Sequence, residues 1–238
     1  MTRGTGIVGY NVQTAVDTQH HLIVAHEVTN VGSDRDQLSS MAKQAREAMA
    51  SDTLSVVADR GYFKSEQILA CHDAGITAYV PKPMTSGAKA DGRFNNDAFI
   101  YDAAKNEYIC PAGEALIWHY SYVEKGLKLH RYWSSKCQGC ALKSQCTPST
   151  ERRVRRWEHE DVLEEMQLRL SKAPEMMRVR KRTVEHPFGT LKQWMGATFL
   201  TRKLAGVSAE MSLNVLAYNL KRVMKIIGTH HLMKALTA

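Results

Sequence analysis

Apolar and polar positions change their period several times along the first eighty residues. Tyr10 to Val16, YNVQTAV, alternates with β-branched residues and predicts a strand. A polar turn at Asp17-Thr18-Gln19-His20 follows, and His21 to Val28, HLIVAHEV, predicts a second strand. The connection is too short for a parallel crossover, so the pair reads as an antiparallel hairpin. After a turn over residues 30–34, the stretch from Gln37 to Ala50 is rich in Ala, Met, Leu and Lys and predicts a helix, with Asp36 as its N-cap. Leu54 to Ala58, LSVVA, is a short apolar run that suits a buried central strand ending at Asp59. Arg60-Gly61-Tyr62 turns the chain, Ser65 to His72 predicts a helix, and Ile76 to Val80 a strand stopped by Pro81 and Pro83. This order predicts a mixed sheet covered by helices, an α/β arrangement.

The pattern then breaks. Residues 84–156 begin with Gly, Ser, Asn and Lys and continue with hairpin-like aromatic segments between four of the five cysteines. They read as an insert with a small core of its own. From about Glu158 the chain reads as helical: Val162 to Ser171, then a helix opened by Pro174 and running through Trp194, then Ser208 to Ile227 with Leu213, Leu216, Ala217, Leu220, Met224 and Ile227 on one stripe. The expected organisation is a first part of a core at 1–83, a cysteine-rich insert at 84–156 and a helical completion of the core at 157–238.

Composition adds limits. With 44% apolar and 24% charged residues in 238, the chain is of ordinary globular type. It has no uncharged apolar run long enough to span a membrane, and its N-terminus lacks the apolar core of a signal peptide, so a cytoplasmic, nucleoid-associated location is expected. Charge changes the picture more. Residues 1–120 carry 10 Lys and Arg against 14 Asp and Glu, whereas residues 121–238 carry 22 against 10, a net +12. That asymmetry is the footprint of a polyanion-binding surface, concentrated in Arg152, Arg153, Arg155, Arg156 and in Arg178 to Arg182. A solvated basic face is the bland alternative.

Two acids stand out. Asp59 closes a buried strand, where an open α/β sheet gathers functional groups, although a turn Asp before Gly is the simpler reading of so short a motif. Glu185 lies within RVRKRTVEHPFGTLK, residues 178–192, with Arg178 and Arg182 at helical spacing from it. A surface ion pair is worth only about 0–1 kcal/mol, so stability explains this density of charge poorly. A carboxylate that holds a metal beside a phosphodiester, with cations gripping the phosphates, explains it better.

VVADRGYFKSEQI, residues 56–68, and RKRTVEHPFGTLKQWMG, residues 180–196, resemble the second and third signatures of the DDE transposases of bacterial insertion sequences. GYNVQTAVDTQHHLIVAHEVTNVGSDRDQL, residues 9–38, is similar to the strand pair between that family's first and second acids, and the closest subgroup bears a cysteine-rich insert. The resemblance implies a ribonuclease H-like mixed sheet flanked by helices, with Asp59 as the second Asp, Glu185 as the Glu, and Lys192 as a DNA-contacting Lys. It also implies DNA as the partner, both element ends and target. The implied chemistry is cleavage and strand transfer with Mg²⁺ or Mn²⁺ at the acids. A homodimer is left open.

The match lacks one element. In the family the first Asp lies on a strand ahead of the segment matching Gly9 to Val28. The early Asp residues here are Asp17, Asp34 and Asp36, of which Asp17 at the end of YNVQTAV is the best stand-in. The expectation is the C-terminal part of a truncated, split or interrupted transposase, inactive by itself. The rival expectation is a non-catalytic nucleic-acid-binding protein with a structural zinc insert.

Cys137 and Cys140 form C-x₂-C, Cys146 follows, and Cys110 lies upstream. Four thiolates suit tetrahedral Zn²⁺ or an iron–sulfur cluster; four reduced, unligated thiols are the alternative. Cys71 reads as a small core residue. Trp133, Trp157 and Trp194 read more readily as packing than as stacking platforms for bases.

Overall fold

The computed structural model describes residues 9–83, 87, 90–196 and 198–237. The chain divides into two compact units, residues 1–83 with 162–238, and residues 84–161.

The first unit opens with the expected hairpin. Strands β1 (Asn11–Val16) and β2 (Ile23–Thr29) pair antiparallel, with Asn11 opposite Thr29. Val16 pairs with Ile23 but Ala15 with Ala25, so Val24 is the extra residue of a β-bulge. The bulge lets Ile23 and Val28 share one face with Val12 and Val16. Helix α1 (Leu38–Ala48) buries Met41, Ala42 and Ala45 and packs with Ala15 and Ala25 on the other face. Its N-cap is Gln37 and not Asp36; the Asp36 carboxylate is paired with Lys64 instead.

Strand β3 (Leu54–Val57), a 3₁₀ turn at Arg60–Tyr62, helix α2 (Ser65–Asp73) and strand β4 (Ile76–Tyr79) follow in the expected order, and β3 runs parallel to β4. The expected single mixed sheet is absent among the described residues. β1–β2 and β3–β4 are two separate two-stranded sheets.

After the second unit come α4 (Glu160–Lys172), α5 (Glu175–Met195), α6 (Leu204–Ile227) and α7 (Thr229–Leu236). Leu191 of α5 and Val207, Met211, Val215 and Tyr218 of α6 form one buried core with Ile23 and Val28. Side chains from these helices cover the outer strand edges. Asn219 of α6 accepts the Ile23 N–H at 2.9 Å and donates to the Ile23 carbonyl at 2.8 Å. Gln167 and Arg169 of α4 donate to the carbonyls of Val80 and Ala78.

The second unit is a five-stranded antiparallel sheet in chain order: β5 (Ile100–Asp102), β6 (Glu107–Ile109), β7 (Ala115–Glu124), β8 (Leu127–Trp133) and β9 (Val154–Trp157). The two residues between β7 and β8, Lys125 and Gly126, both have positive φ, as a tight hairpin turn requires. Phe99, Tyr108, Leu116, Tyr132 and Val154 make its core, and the short helix α3 (Lys143–Cys146) adds Cys146 to the rim. No helix among the described residues is long and apolar enough to cross a membrane.

Candidate functional site

A cleft of about 500 Å³ in the first unit is lined by β1, β3, α1 and α5, and both acids singled out by sequence lie on it. Asp59 follows β3 and caps the 3₁₀ turn. Its Oδ1 accepts the Gly61 N–H at 2.8 Å, and its Oδ2 accepts from Arg180 Nη2 at 2.7 Å. Glu185 is one helical turn and a half further along α5, exposed, on the same cleft as Arg180, Thr183, Val184 and Phe188. Pro187 lies inside α5, yet the helix continues through it to Met195, so Glu185 is held on a helix.

A third carboxylate lines the same cleft. Asp34, preceding α1, accepts from Asn11 Nδ2 at 2.6 Å and from Gln13 Nε2 at 2.7 Å. A Cβ placed on Gly61 would stand 2.9 Å from Asp59 Oδ1 and 3.6 Å from Asp34 Oδ2, so the two carboxylates flank this glycine. Gln13 is 2% exposed, and its carbonyl oxygen accepts the Tyr62 hydroxyl. Burial first, then the charges of Asp34 and Asp59, push the Tyr62 pKa well above the usual phenol range, against the opposing pull of Arg180. Tyr62 is therefore a fixed neutral donor, and Gln13 relays between it and Asp34.

Sequence reasoning missed Asn11, Gln13, Asp34, Tyr62 and Arg180 as parts of one network. Asp34 reads as a turn residue, and Gln13 as the polar member of an alternating strand. Asp17, the sequence's best stand-in for a first acid, is not on the cleft: it accepts the N–H groups of Gln19 and His20 and closes the β1–β2 turn.

The basic residues divide. Arg178, Arg182 and Lys192 are exposed along α5, and Lys192 Nζ sits 4.7 Å above the Phe188 ring. In the second unit the arginines expected to bind DNA differ in burial. Arg156 is 8% exposed and stacks over Tyr101 at 3.9 Å. Arg152 bonds Asn96 at 2.7 Å and lies over Phe99. Strand alternation turns Arg156 inward, the opposite way from Arg155. Arg153 and Arg155 stay exposed, next to Glu151 and Glu124.

Cys110, Cys137, Cys140 and Cys146 line one pocket of about 30 Å³ in the second unit, together with Arg152. Burial raises the Cys146 thiol pKa, Arg152 pulls it down, and the other three thiols raise it further. Among the described residues no group of three or more potential ligands is drawn together for a metal ion. Arg152 Nε is buried there without a hydrogen-bond partner.

Residues 1–220 match the family model described as a transposase DDE domain. No curated protein and no solved structure matches the chain.

Proposed function

Because the chain belongs to the transposase DDE-domain family, we propose that the cleft carrying Asp59 and Glu185 is the catalytic part of a ribonuclease H-like fold acting on DNA. The observation that supports this reading is that both acids, one at a strand end and one on a helix far apart in sequence, line the same cleft. Their carboxylate oxygens are donors of the kind Mg²⁺ or Mn²⁺ prefers, so the residues fit the ion the family implies. A bound divalent ion would supply charge stabilisation to a phosphodiester and lower the pKa of an attacking water or hydroxyl.

The chain's own residues do the rest. Asp59 and Glu185 would hold the ion, and Asp34, tied by two amides, would keep the start of β1 against the Asp59 turn. Exposed Arg178, Arg182 and Lys192 would hold DNA phosphates along α5. Asp17 is committed to its turn, Asp34 Oδ1 to Asn11 and Gln13, and Asp59 to Gly61 and Arg180, so Asp59 would have to give up the Arg180 contact to ligate an ion. On this reading Asp59 and Glu185 are the candidate ligands that the described residues place on the cleft. The test is Mn²⁺ binding together with nicking and strand transfer on DNA carrying the element ends. Weak Mn²⁺ binding lost in both Asp59→Asn and Glu185→Gln, without strand transfer, is expected. Robust strand transfer that survives Asp17→Asn would overturn the account of the missing acid, and Mn²⁺ binding untouched by either substitution would overturn the site.

A structural Zn²⁺ held by Cys110, Cys137, Cys140 and Cys146 belongs to the same proposal. A thiolate-bound ion carries net negative charge, and the unpartnered Arg152 Nε beside the four thiols is a donor placed for it. Purified protein should hold about one zinc per chain, falling toward zero in Cys137→Ser. Absence of zinc and iron in native protein would remove this part alone.

A further inference from the structure

Asp34, Asp59 and Glu185 line the cleft together with Arg180, and among the described residues no Lys, His or second Arg lines it. A DNA phosphate entering that space meets three carboxylates that repel it. Arg178, Lys181 and Arg182 are exposed on α5 but lie off the cleft lining, so they can hold phosphates outside it. Inside, Arg180 is the side chain with the sign a phosphate needs.

Arg180 is also the movable member of its pair. Asp59 caps the 3₁₀ turn and its Oδ1 takes the Gly61 N–H at 2.8 Å, so the carboxylate is fixed by its own backbone. Arg180 ends a long side chain that is 28% exposed, and Asp59 is its one hydrogen-bond partner among the described residues. A partly exposed pair of this kind contributes about 0–1 kcal/mol, so little opposes its exchange. A guanidinium grips a phosphate with the same fork of N–H groups that it offers a carboxylate.

We propose that Arg180 is a substrate-binding residue that changes partner: it holds Asp59 in the unliganded chain, and a phosphate of the DNA once Asp59 Oδ2 is given to a divalent ion. The inference rests on the reading of the cleft as a metal-dependent DNA site, and it adds the residue that takes the phosphate and the event that frees it. The ion and the guanidinium compete for one carboxylate oxygen. An ion at Asp59 therefore leaves Arg180 unpaired, beside a space that the ion has made less negative. A phosphate that draws Arg180 away leaves Asp59 open to the ion in the same manner. Ion and DNA thus favour one another, and linkage makes the effect equal in both directions.

Asp59→Asn imitates the exchange without any ion. The amide keeps an oxygen for the Gly61 N–H and turns a donor toward the guanidinium, which releases Arg180. The test uses the full 238-residue chain and a fluorescently labelled DNA duplex, with chelator present. Asp59→Asn should steepen the slope of log affinity against log salt by about 0.9, the share of one more neutralised phosphate. Glu185→Gln removes a negative charge from the cleft but frees no cation, so it should tighten binding with less change in slope. In an Arg180→Ala background Asp59→Asn should leave the slope unchanged, whereas with Arg180→Lys, which keeps the charge, the gain should return. In a separate Mn²⁺ titration the duplex should tighten ion binding about tenfold more in the native chain than in Arg180→Ala. A slope gain that is missing in Asp59→Asn or persists in Arg180→Ala, or equal tightening of Mn²⁺ in the two chains, overturns the inference and leaves the cleft a DNA site. DNA affinity untouched by both Asp59→Asn and Glu185→Gln overturns the reading of the cleft, and the inference with it.

Discussion

Arg180 reaches back 121 positions to place Nη2 at 2.7 Å from Asp59 Oδ2, so a guanidinium occupies the side of the carboxylate that a metal ion would use. Both side chains are partly open to solvent, at 28% and 41%, and the pair contributes about 0–1 kcal/mol to stability. Its consequence is competition. Arg180→Ala should leave the melting temperature nearly unchanged and tighten Mn²⁺ binding by about tenfold in a titration followed by electron paramagnetic resonance. Unchanged or weaker Mn²⁺ affinity would show that the guanidinium does not stand in the ion's way.

Gly61 is constrained by space. A methyl group there would meet Asp59 Oδ1 at 2.9 Å, closer than a Cβ normally approaches another atom, and Asp59 is itself fixed by Arg180. Gly61→Ala should cost about 1–3 kcal/mol in denaturant unfolding. In an Asp59→Ala background the same change should cost much less, a coupling readable from the double-mutant cycle. Additive losses would place the clash elsewhere.

His26 gives the first unit a pH dependence. It lies on the α6 side of β2, with Nε2 2.9 Å from Ser212 Oγ, and burial lowers its pKa below 6.5. The unfolded chain then binds the proton more readily than the folded one. The contribution of neutral His26 is complete above pH 6.5 and is lost as pH falls through that value toward the folded pKa. Between pH 7.5 and 5.5, roughly a unit either side of the ordinary His value, the native urea midpoint should drop more than that of His26→Gln. Parallel profiles would mean that His26 does not couple to folding.

DNA affinity should separate the two groups of arginines. Replacing Arg178, Lys181 and Arg182 together by Ala should flatten the slope of log affinity against log salt by roughly 2–3, at about 0.9 for each phosphate that is no longer neutralised. Arg156→Gln should leave the slope unchanged and instead loosen the insert, because its guanidinium packs on Tyr101 beneath the surface. A salt slope that falls with Arg156→Gln would mean that the buried arginine reaches DNA after all.

The sequence was legible where structure is local. The alternation of YNVQTAV and the run LSVVA depend on near neighbours, and both became strands, but β3 has no fully buried residue and is not central. The expected α6 stripe of Leu213, Leu216, Leu220, Met224 and Ile227 is exposed, the buried face of that helix being Val207, Met211, Val215 and Tyr218. Strand partnership is not local. The same strands serve one sheet or two depending on what lies between β1 and β3, and no periodicity within either records that. The site split the same way. Asp59 and Glu185 are visible because each sits in a distinctive local setting. Asp34 became visible only when Asn11, Gln13 and Gly61, more than twenty positions away on either side, closed around it. The burial of Arg156 was hidden for a related reason: Arg153 and Arg155 beside it are exposed, and only its parity in β9 turns it inward.

The bidentate grip of Asn219 on Ile23 also sets a clock on biosynthesis. The two residues are separated by 196 positions, and Tyr218 and Arg222 hold the neighbouring carbonyls of His21 and His20 across similar spans. A ribosome adding about 5–20 residues per second needs roughly 10–40 s to deliver α6 after β2 has emerged. During that interval the outer edge of the β1–β2 hairpin is uncovered. The nascent chain therefore passes through a state with a longer stretch of exposed strand edge than the finished protein has, and a chaperone that recognises extended segments would find its target then.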